Sequence, residues 1–208
     1  MTDPSIPADT DGGATSTPED PPGKAKSQTR NIVEWAIVLF GALFMAVIVR
    51  TFLFQAFYIP SPSMNPTLVK DDRVVVNKLS YKVHDVNRHD VVVFSRPPGV
   101  DPTTKDLIKR VIGLPGETVS LRDGHVYING KKQNEPYTAT GSTSEPLEYS
   151  YCRVNLRSPL VVPKDEVFVM GDNRNQSLDS RCFGPIPIKT IVGRAFILVW
   201  PFGHMGTL

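Results

Sequence analysis

Two hydroxyls, one amine and a dense run of charges are the groups in this sequence that could carry covalent chemistry. Ser61 and Ser63 stand at i and i+2 in Ile59-Pro60-Ser61-Pro62-Ser63-Met64-Asn65-Pro66-Thr67-Leu68. Three prolines in seven residues stiffen that stretch and remove backbone donors. In an extended chain the two hydroxyls point roughly the same way, so one could attack a substrate while the other assists. The same composition also suits an ordinary proline–serine linker.

The amine belongs to Asp106-Leu107-Ile108-Lys109-Arg110-Val111-Ile112-Gly113-Leu114-Pro115-Gly116-Glu117. A basic pair inside an apolar strand is expensive. Alternation sets Lys109 on one face with Leu107 and Val111, and Arg110 on the other with Ile108 and Ile112. A buried lysine loses affinity for its proton and can then accept one, whereas a guanidinium stays charged. If one of the pair is a base, it is Lys109. The alternative is that both reach solvent or pair with acids such as Asp106 and Glu117.

The charges lie in Gly171-Asp172-Asn173-Arg174-Asn175-Gln176-Ser177-Leu178-Asp179-Ser180-Arg181-Cys182. Asp172, Arg174, Asp179 and Arg181 could form an ion-pair lattice that fixes a loop against strands, and Ser177 or Ser180 could orient an amine. A solvated turn would have the same composition.

The chain that must position these residues is 208 residues long with net charge +2, too mild a balance to argue for nucleic acid. Glycine and proline together number 34, which disfavours a helical bundle. Residues 1–30 hold five prolines, five acids and three bases with almost nothing large and apolar, the composition of a disordered tail. Trp35–Val49 is then uncharged, and Ile32–Phe54 carries only Glu34 and Arg50. At about 1.5 Å per residue that stretch reaches roughly 35 Å, enough to cross a bilayer core of about 30 Å. We read 31–54 as a transmembrane signal anchor. The run lacks the polar face that a soluble surface helix would show, and a cleavable signal would be shorter and start nearer the terminus. Lys24, Lys26 and Arg30 before the span outnumber Lys70 and Arg73 after it, a weak preference for a cytoplasmic N-terminus.

Beyond the span, β-like runs recur between turn signals: Arg73–Asn77, Val91–Phe94, Leu107–Leu114, Glu117–Leu121, Val126–Ile128, Val167–Met170 and Ile191–Trp200. Asp123-Gly124 and Asn129-Gly130 are turn dipeptides, the second suited to a tight hairpin. The expected fold is mainly β: an antiparallel, partly closed β-domain over 55–208, preceded by one transmembrane helix.

Taken together, the three segments resemble the type I signal peptidases, or leader peptidases, a serine–lysine protease family. The resemblance rests on Ser61-x-Ser63-Met64-x-Pro66, on Lys109-Arg110-Val111-x-Gly113-Leu114-Pro115-Gly116, on Tyr127-x-Asn129-Gly130, and on Gly171-Asp172-Asn173-Arg174-x-x-Ser177-x-Asp179-Ser180-Arg181, in that order. It implies that Ser63 is the nucleophile and Lys109 the general base. Ser61 and the Ser63 N–H would form the oxyanion hole, and Ser177 would hold the amine. Asp172, Arg174, Asp179 and Arg181 would be structural supports. Phe57, Ile59, Met64, Leu68 and Ile108 would line shallow apolar pockets. One departure is Pro62, where the family often has a small or flexible residue; the proposed donor belongs to Ser63, so the hole survives.

The implied activity is removal of signal peptides from exported preproteins after small residues, through an acyl-enzyme, by a monomer that uses no cofactor and no metal. The implied location is the cell membrane, spanned once, with the catalytic domain outside the cytoplasm; the partners are preproteins and phospholipid. There a disulfide is allowed, and Cys152 and Cys182 are compatible with one. His84, His89, His125 and His204 lack metal-ligand spacing. Two competing classes are weaker. An inactive membrane-tethered peptide-binding domain of a secretion complex would have lost Ser63 or Lys109. A self-cleaving serine–lysine regulator would carry a DNA-binding module instead of a span. The Ser-x-x-Lys class fails at Pro66, three residues after Ser63.

Overall fold

The computed structural model describes residues 24–147, 149–154 and 156–208. The chain divides into two compact units at Met45/Ala46. The first consists, in its described part, of helix α1 (Lys24–Ile48) as far as Met45. Within α1, Arg30–Ile48 is long and apolar enough to cross a membrane, and none of its residues is buried. Of the tail expected over 1–30, residues 1–23 lie outside the described residues, while Lys24–Arg30 are already helical. Lysine, alanine and glutamine favour helix there, and the glycine and prolines that would interrupt it stand just upstream.

The second unit is mainly β. A short π-helical turn (Val49–Leu53) leads into β1 (Phe54–Tyr58), so the strand begins where the apolar span was expected to end. There follow β2 (Arg73–Asn77), the helical turn α2 (Ser80–Val83), β3 (Val91–Ser95) and β4 (Asp106–Gly113). Next come β5 (Thr118–Arg122), β6 (His125–Ile128), β7 (Lys131–Lys132), β8 (Leu160–Val161) and β9 (Glu166–Met170). The turn α3 (Ser180–Phe183), β10 (Ile186–Pro187), β11 (Ile191–Trp200) and β12 (Gly206–Thr207) complete the chain. The main sheet runs β1-β2-β11-β3-β4-β9-β10, with β12 on β11, and a smaller sheet runs β7-β6-β5-β8. Every pairing is antiparallel. The main order ends at β1 and β10, so the sheet does not close into a barrel.

All seven expected strands form. β7, β8, β10 and β12 were not anticipated, because two residues cannot show a period. At the expected turns Asp123-Gly124 and Asn129-Gly130 all four φ angles are positive, as a two-residue hairpin matching the strand twist requires.

Alternation along β2 and β3, and along β11 with a register shift between Ala195 and Ile197, sends Val74, Val76, Val91, Val93, Ala195 and Leu198 to one face, where Ile59, Met64 and Leu68 join them. Val92, Phe94, Val111, Val167 and Val169 form the core on the other face. A third cluster, including Ile112, Val119, Val126 and Phe168, seats the small sheet. Cys152 and Cys182 are joined by a disulfide, which ties residues 149–154 to α3.

Candidate active site

Ser63 is presented by a turn that the rest of the loop anchors. Pro62 begins a single 3₁₀ turn, Pro62–Met64, which proline's fixed φ suits. Met64 and Leu68 then sink completely into the core, and Ile59 almost so. This corrects the expectation that Met64 and Leu68 line a substrate pocket: large apolar groups one turn apart serve the loop as its anchor. Ser63 itself is 6% exposed.

Lys109 projects from β4 and is 3% exposed. Its Nζ lies 2.7 Å from Ser63 Oγ and 2.8 Å from the Ile108 carbonyl oxygen. Burial disfavours the charged amine and brings its pKa down from 10.5 to about 8. The carboxylates of Asp179 and Asp172 oppose that fall, and the Arg181 guanidinium adds to it. Ser61 Oγ–H donates to Ser63 Oγ across 3.3 Å. Ser177 is buried against Gly171; its hydroxyl meets no partner at ordinary hydrogen-bond geometry, although it lies near enough to the Asp179 carboxylate to help keep that group ionised. The expected Ser177–Lys109 contact is thus not made; the amine meets Ser63 and Ile108 instead.

The third segment supports this pair from behind, in a different arrangement from the lattice expected within the segment. Asp179 and Arg181 do pair, with Nε–Oδ1 at 2.8 Å and Nη2–Oδ2 at 2.9 Å. Arg181 also donates to the Arg174 and Ser177 carbonyls. Burial alone would raise the Asp179 carboxyl, but the Arg181 charge, its hydrogen bond and the Gly171 N–H hold it below the usual carboxylate range. Asp172 takes its fork instead from Arg110, at 2.8 and 2.6 Å. Arg174 takes Glu135, at 2.9 and 2.6 Å. Arg110 therefore pairs with neither acid expected for it; Glu117 is held by Arg88. The Arg110 guanidinium is also covered by the Tyr137 ring at 4.2 Å. Glu135 and Tyr137 carried no signal in the sequence, because their partners lie 39 and 27 residues away and only the fold brings them together.

Ser61, Ser63 and Lys109 line a cleft of about 330 Å³. Phe57, Ile59 and Ile108 form its apolar walls, with Val93, Val100 and Leu178 as wall residues the sequence had not pointed to. On one side of the cleft runs β1, whose outer edge has no strand partner among the described residues. On the other run Asp106–Lys109, which pair with β3 alone because β9 joins β4 only from Arg110 onward. A cleft between two open strand edges can take an extended peptide by strand addition. A buried amine beside a hydroxyl, with a second hydroxyl 3.3 Å from the first, can perform acyl transfer.

Comparison with known proteins decides the family. Residues 32–200 match the family model described as signal peptidase, peptidase S26. The chain belongs to that family. It is 38% identical to signal peptidase I of Leptolyngbya laminosa over 200 residues, covering 92% of this chain and 93% of that one. It is 41% identical to the probable signal peptidase I-2 of Synechocystis sp. over 169 residues, covering 80% of this chain and 72% of the relative. It is 35% identical to signal peptidase I of Bacillus amyloliquefaciens over 180 residues, or 86% and 94% of the two chains. Among solved structures, a signal peptidase I from Enterococcus faecalis matches with 32% identity and a TM-score of 0.41, covering 53% of this chain and 97% of that one. This signal peptidase family member is therefore an enzyme, a peptide-bond hydrolase.

Proposed function

We propose that the protein is a membrane-bound serine endopeptidase that removes N-terminal signal peptides from exported preproteins, with Ser63 as nucleophile and Lys109 as general base. The observation that carries this reading is the 2.7 Å approach of a buried Lys109 amine to Ser63 Oγ on the cleft. With the amine neutral, its lone pair accepts the Ser63 proton while Oγ attacks the scissile carbonyl. The new oxyanion is met by the Ser61 hydroxyl and the Ser63 N–H. The ammonium returns the proton to the departing amine, and the signal peptide remains as an ester on Ser63. Water then attacks that ester with Lys109 again as base, freeing the signal peptide and restoring the serine.

Substrate selection follows from the walls. An extended chain hydrogen-bonds along β1 and Asp106–Lys109, and alternate side chains face Phe57, Ile59 and Ile108. These apolar walls favour alanine-sized groups at the last and third-last residues of the signal peptide. Arg30–Ile48 spans the membrane once, with the N-terminus cytoplasmic and the β unit outside. Ser177, Asp179, Arg181, Arg174 and Asp172 shape the surround of the dyad.

The test is cleavage of a model preprotein by the full chain in lipid vesicles, with fragment masses determined. Cleavage after alanine, lost when the last or third-last signal residue becomes phenylalanine, is expected. Cleavage indifferent to those residues, or at scattered positions, refutes the assignment.

A further inference from the structure

We infer that Asn173 is a positioning residue for the oxyanion donor, acting through the plane of the Pro62–Ser63 peptide; this rests on the role proposed for Ser63. Asn173 follows β9 and opens the 3₁₀ turn Arg174–Gln176. It grips the nucleophile loop at two points. Its backbone N–H donates to the Ser63 carbonyl at 3.1 Å. Its side-chain Nδ2–H donates to the Pro62 carbonyl at 3.3 Å. A carbonyl can only accept, so the amide's nitrogen faces Pro62, and the Gln176 Oε1, 3.2 Å from the same nitrogen, holds it that way. The close approach is possible because Gly171 has no side chain: a Cβ there would stand 2.4 Å from the Ser63 carbonyl oxygen.

The consequence comes from covalent geometry. A trans peptide is planar, with its C=O and N–H pointing opposite ways. The Pro62–Ser63 bond is trans. Pinning the Pro62 oxygen therefore aims the Ser63 N–H. The proline ring fixes φ at Pro62, so the tilt of this plane depends mainly on the Pro62 ψ angle and on what holds its carbonyl. Inside the loop only the Asn65 N–H does so, at 3.0 Å. Among the described residues the Asn173 amide is the restraint on that carbonyl from outside the loop. Pro62 and Asn173 thus act together: one removes a rotation and the other sets the angle that remains.

The experiment compares wild type, Asn173→Ala, the near-isosteric Asn173→Asp and Ser63→Ala, each as the full chain in lipid vesicles, on one signal-peptide substrate. A donor left in place but poorly aimed should lower kcat by about tenfold, less than the hundredfold or more of losing a donor outright. KM should stay within about twofold, and the pH midpoint should not move, because the amine is untouched. Asn173→Asp keeps the size and the backbone N–H but cannot donate, so it should lose at least as much. A peptide aldehyde, which adds Ser63 Oγ to its carbonyl and leaves an oxyanion, should bind more weakly by the factor lost in kcat/KM. The cleaved signal peptide should bind as before. Wild-type kcat in Asn173→Asp, or in the neutral Asn173→Ala a loss confined to KM or accompanied by a moved pH midpoint, overturns the inference. If Ser63→Ala still cleaves, it is the dyad reading that falls.

Discussion

In the role proposed for it the Lys109 amine must be neutral, so the rate should follow its titration. With the pKa brought from 10.5 to about 8, roughly a tenth of the enzyme has a free amine at pH 7. Without the shift the share would be about three in ten thousand, so burial makes the base some three-hundred-fold more available at that pH. The perturbation is pH itself, from 6 to 10, with the full chain in vesicles and a fluorogenic peptide carrying alanine at both selected positions. The expected kcat/KM rises close to tenfold per pH unit below 8, bends near 8 and then levels. Lys109→Arg should be inactive throughout, since its cation cannot accept a proton. None of His84, His89, His125 and His204 lines the cleft, so no limb near 6.5 is expected. A midpoint near 6.5 or near 10.5, or activity in Lys109→Arg, would refute the reasoning.

The same shift has a cost in stability. The folded amine has the lower pKa, so the unfolded chain binds more protons between about pH 8 and 10.5 and stability rises with pH through that window. Below pH 8 the whole cost is present, about 3 kcal/mol. Lys109→Met, which fills the space without a charge, should raise the melting temperature at pH 7 and change it little near pH 11; thermal unfolding by circular dichroism at both pH values reads this, and equal effects would contradict it. Gly171→Ala would push a methyl to 2.3 Å from Ser177 Oγ and 2.4 Å from the Ser63 carbonyl oxygen. Its kcat should fall by about a hundredfold, with roughly 1–3 kcal/mol of stability lost to overpacking; full kcat in that variant would show that the nucleophile tolerates displacement.

What the sequence could reveal depended on whether the information was local. Alternation in Arg73–Asn77 or Ile191–Trp200 is a property of neighbouring residues, and those strands form with the bounds expected. β1 was absent from the strands drawn from alternation because Phe54–Tyr58, with Gln55 its one strongly polar residue, follows directly on the apolar span; the family resemblance alone pointed to a strand edge near Gln55–Tyr58. The two-residue strands have no pattern of their own and exist only because a neighbour supplies their hydrogen bonds. In the site, the amine was legible because a lysine in an apolar strand is anomalous by itself. Its approach to Ser63, 46 residues earlier, is a product of the fold. Charge partners were illegible for the same reason. Arg110 had acids nearby in sequence, yet it chose Asp172, 62 residues on, because a bidentate fork between buried groups outweighs the exposed pairs within reach. Met64 and Leu68 were misplaced because apolar residues flanking a nucleophile look alike whether they face substrate or core.

Whether one hydroxyl and one uncharged amine perform the cleavage is decided by Ser63→Ala and Lys109→Ala, separately and together, on a preprotein under single-turnover conditions. Each single variant should lose essentially all turnover while retaining the wild-type circular dichroism spectrum, and the double variant should be barely worse than either. Turnover by Ser63→Ala near the wild-type rate, or losses that multiply in the double variant, would contradict the dyad reading.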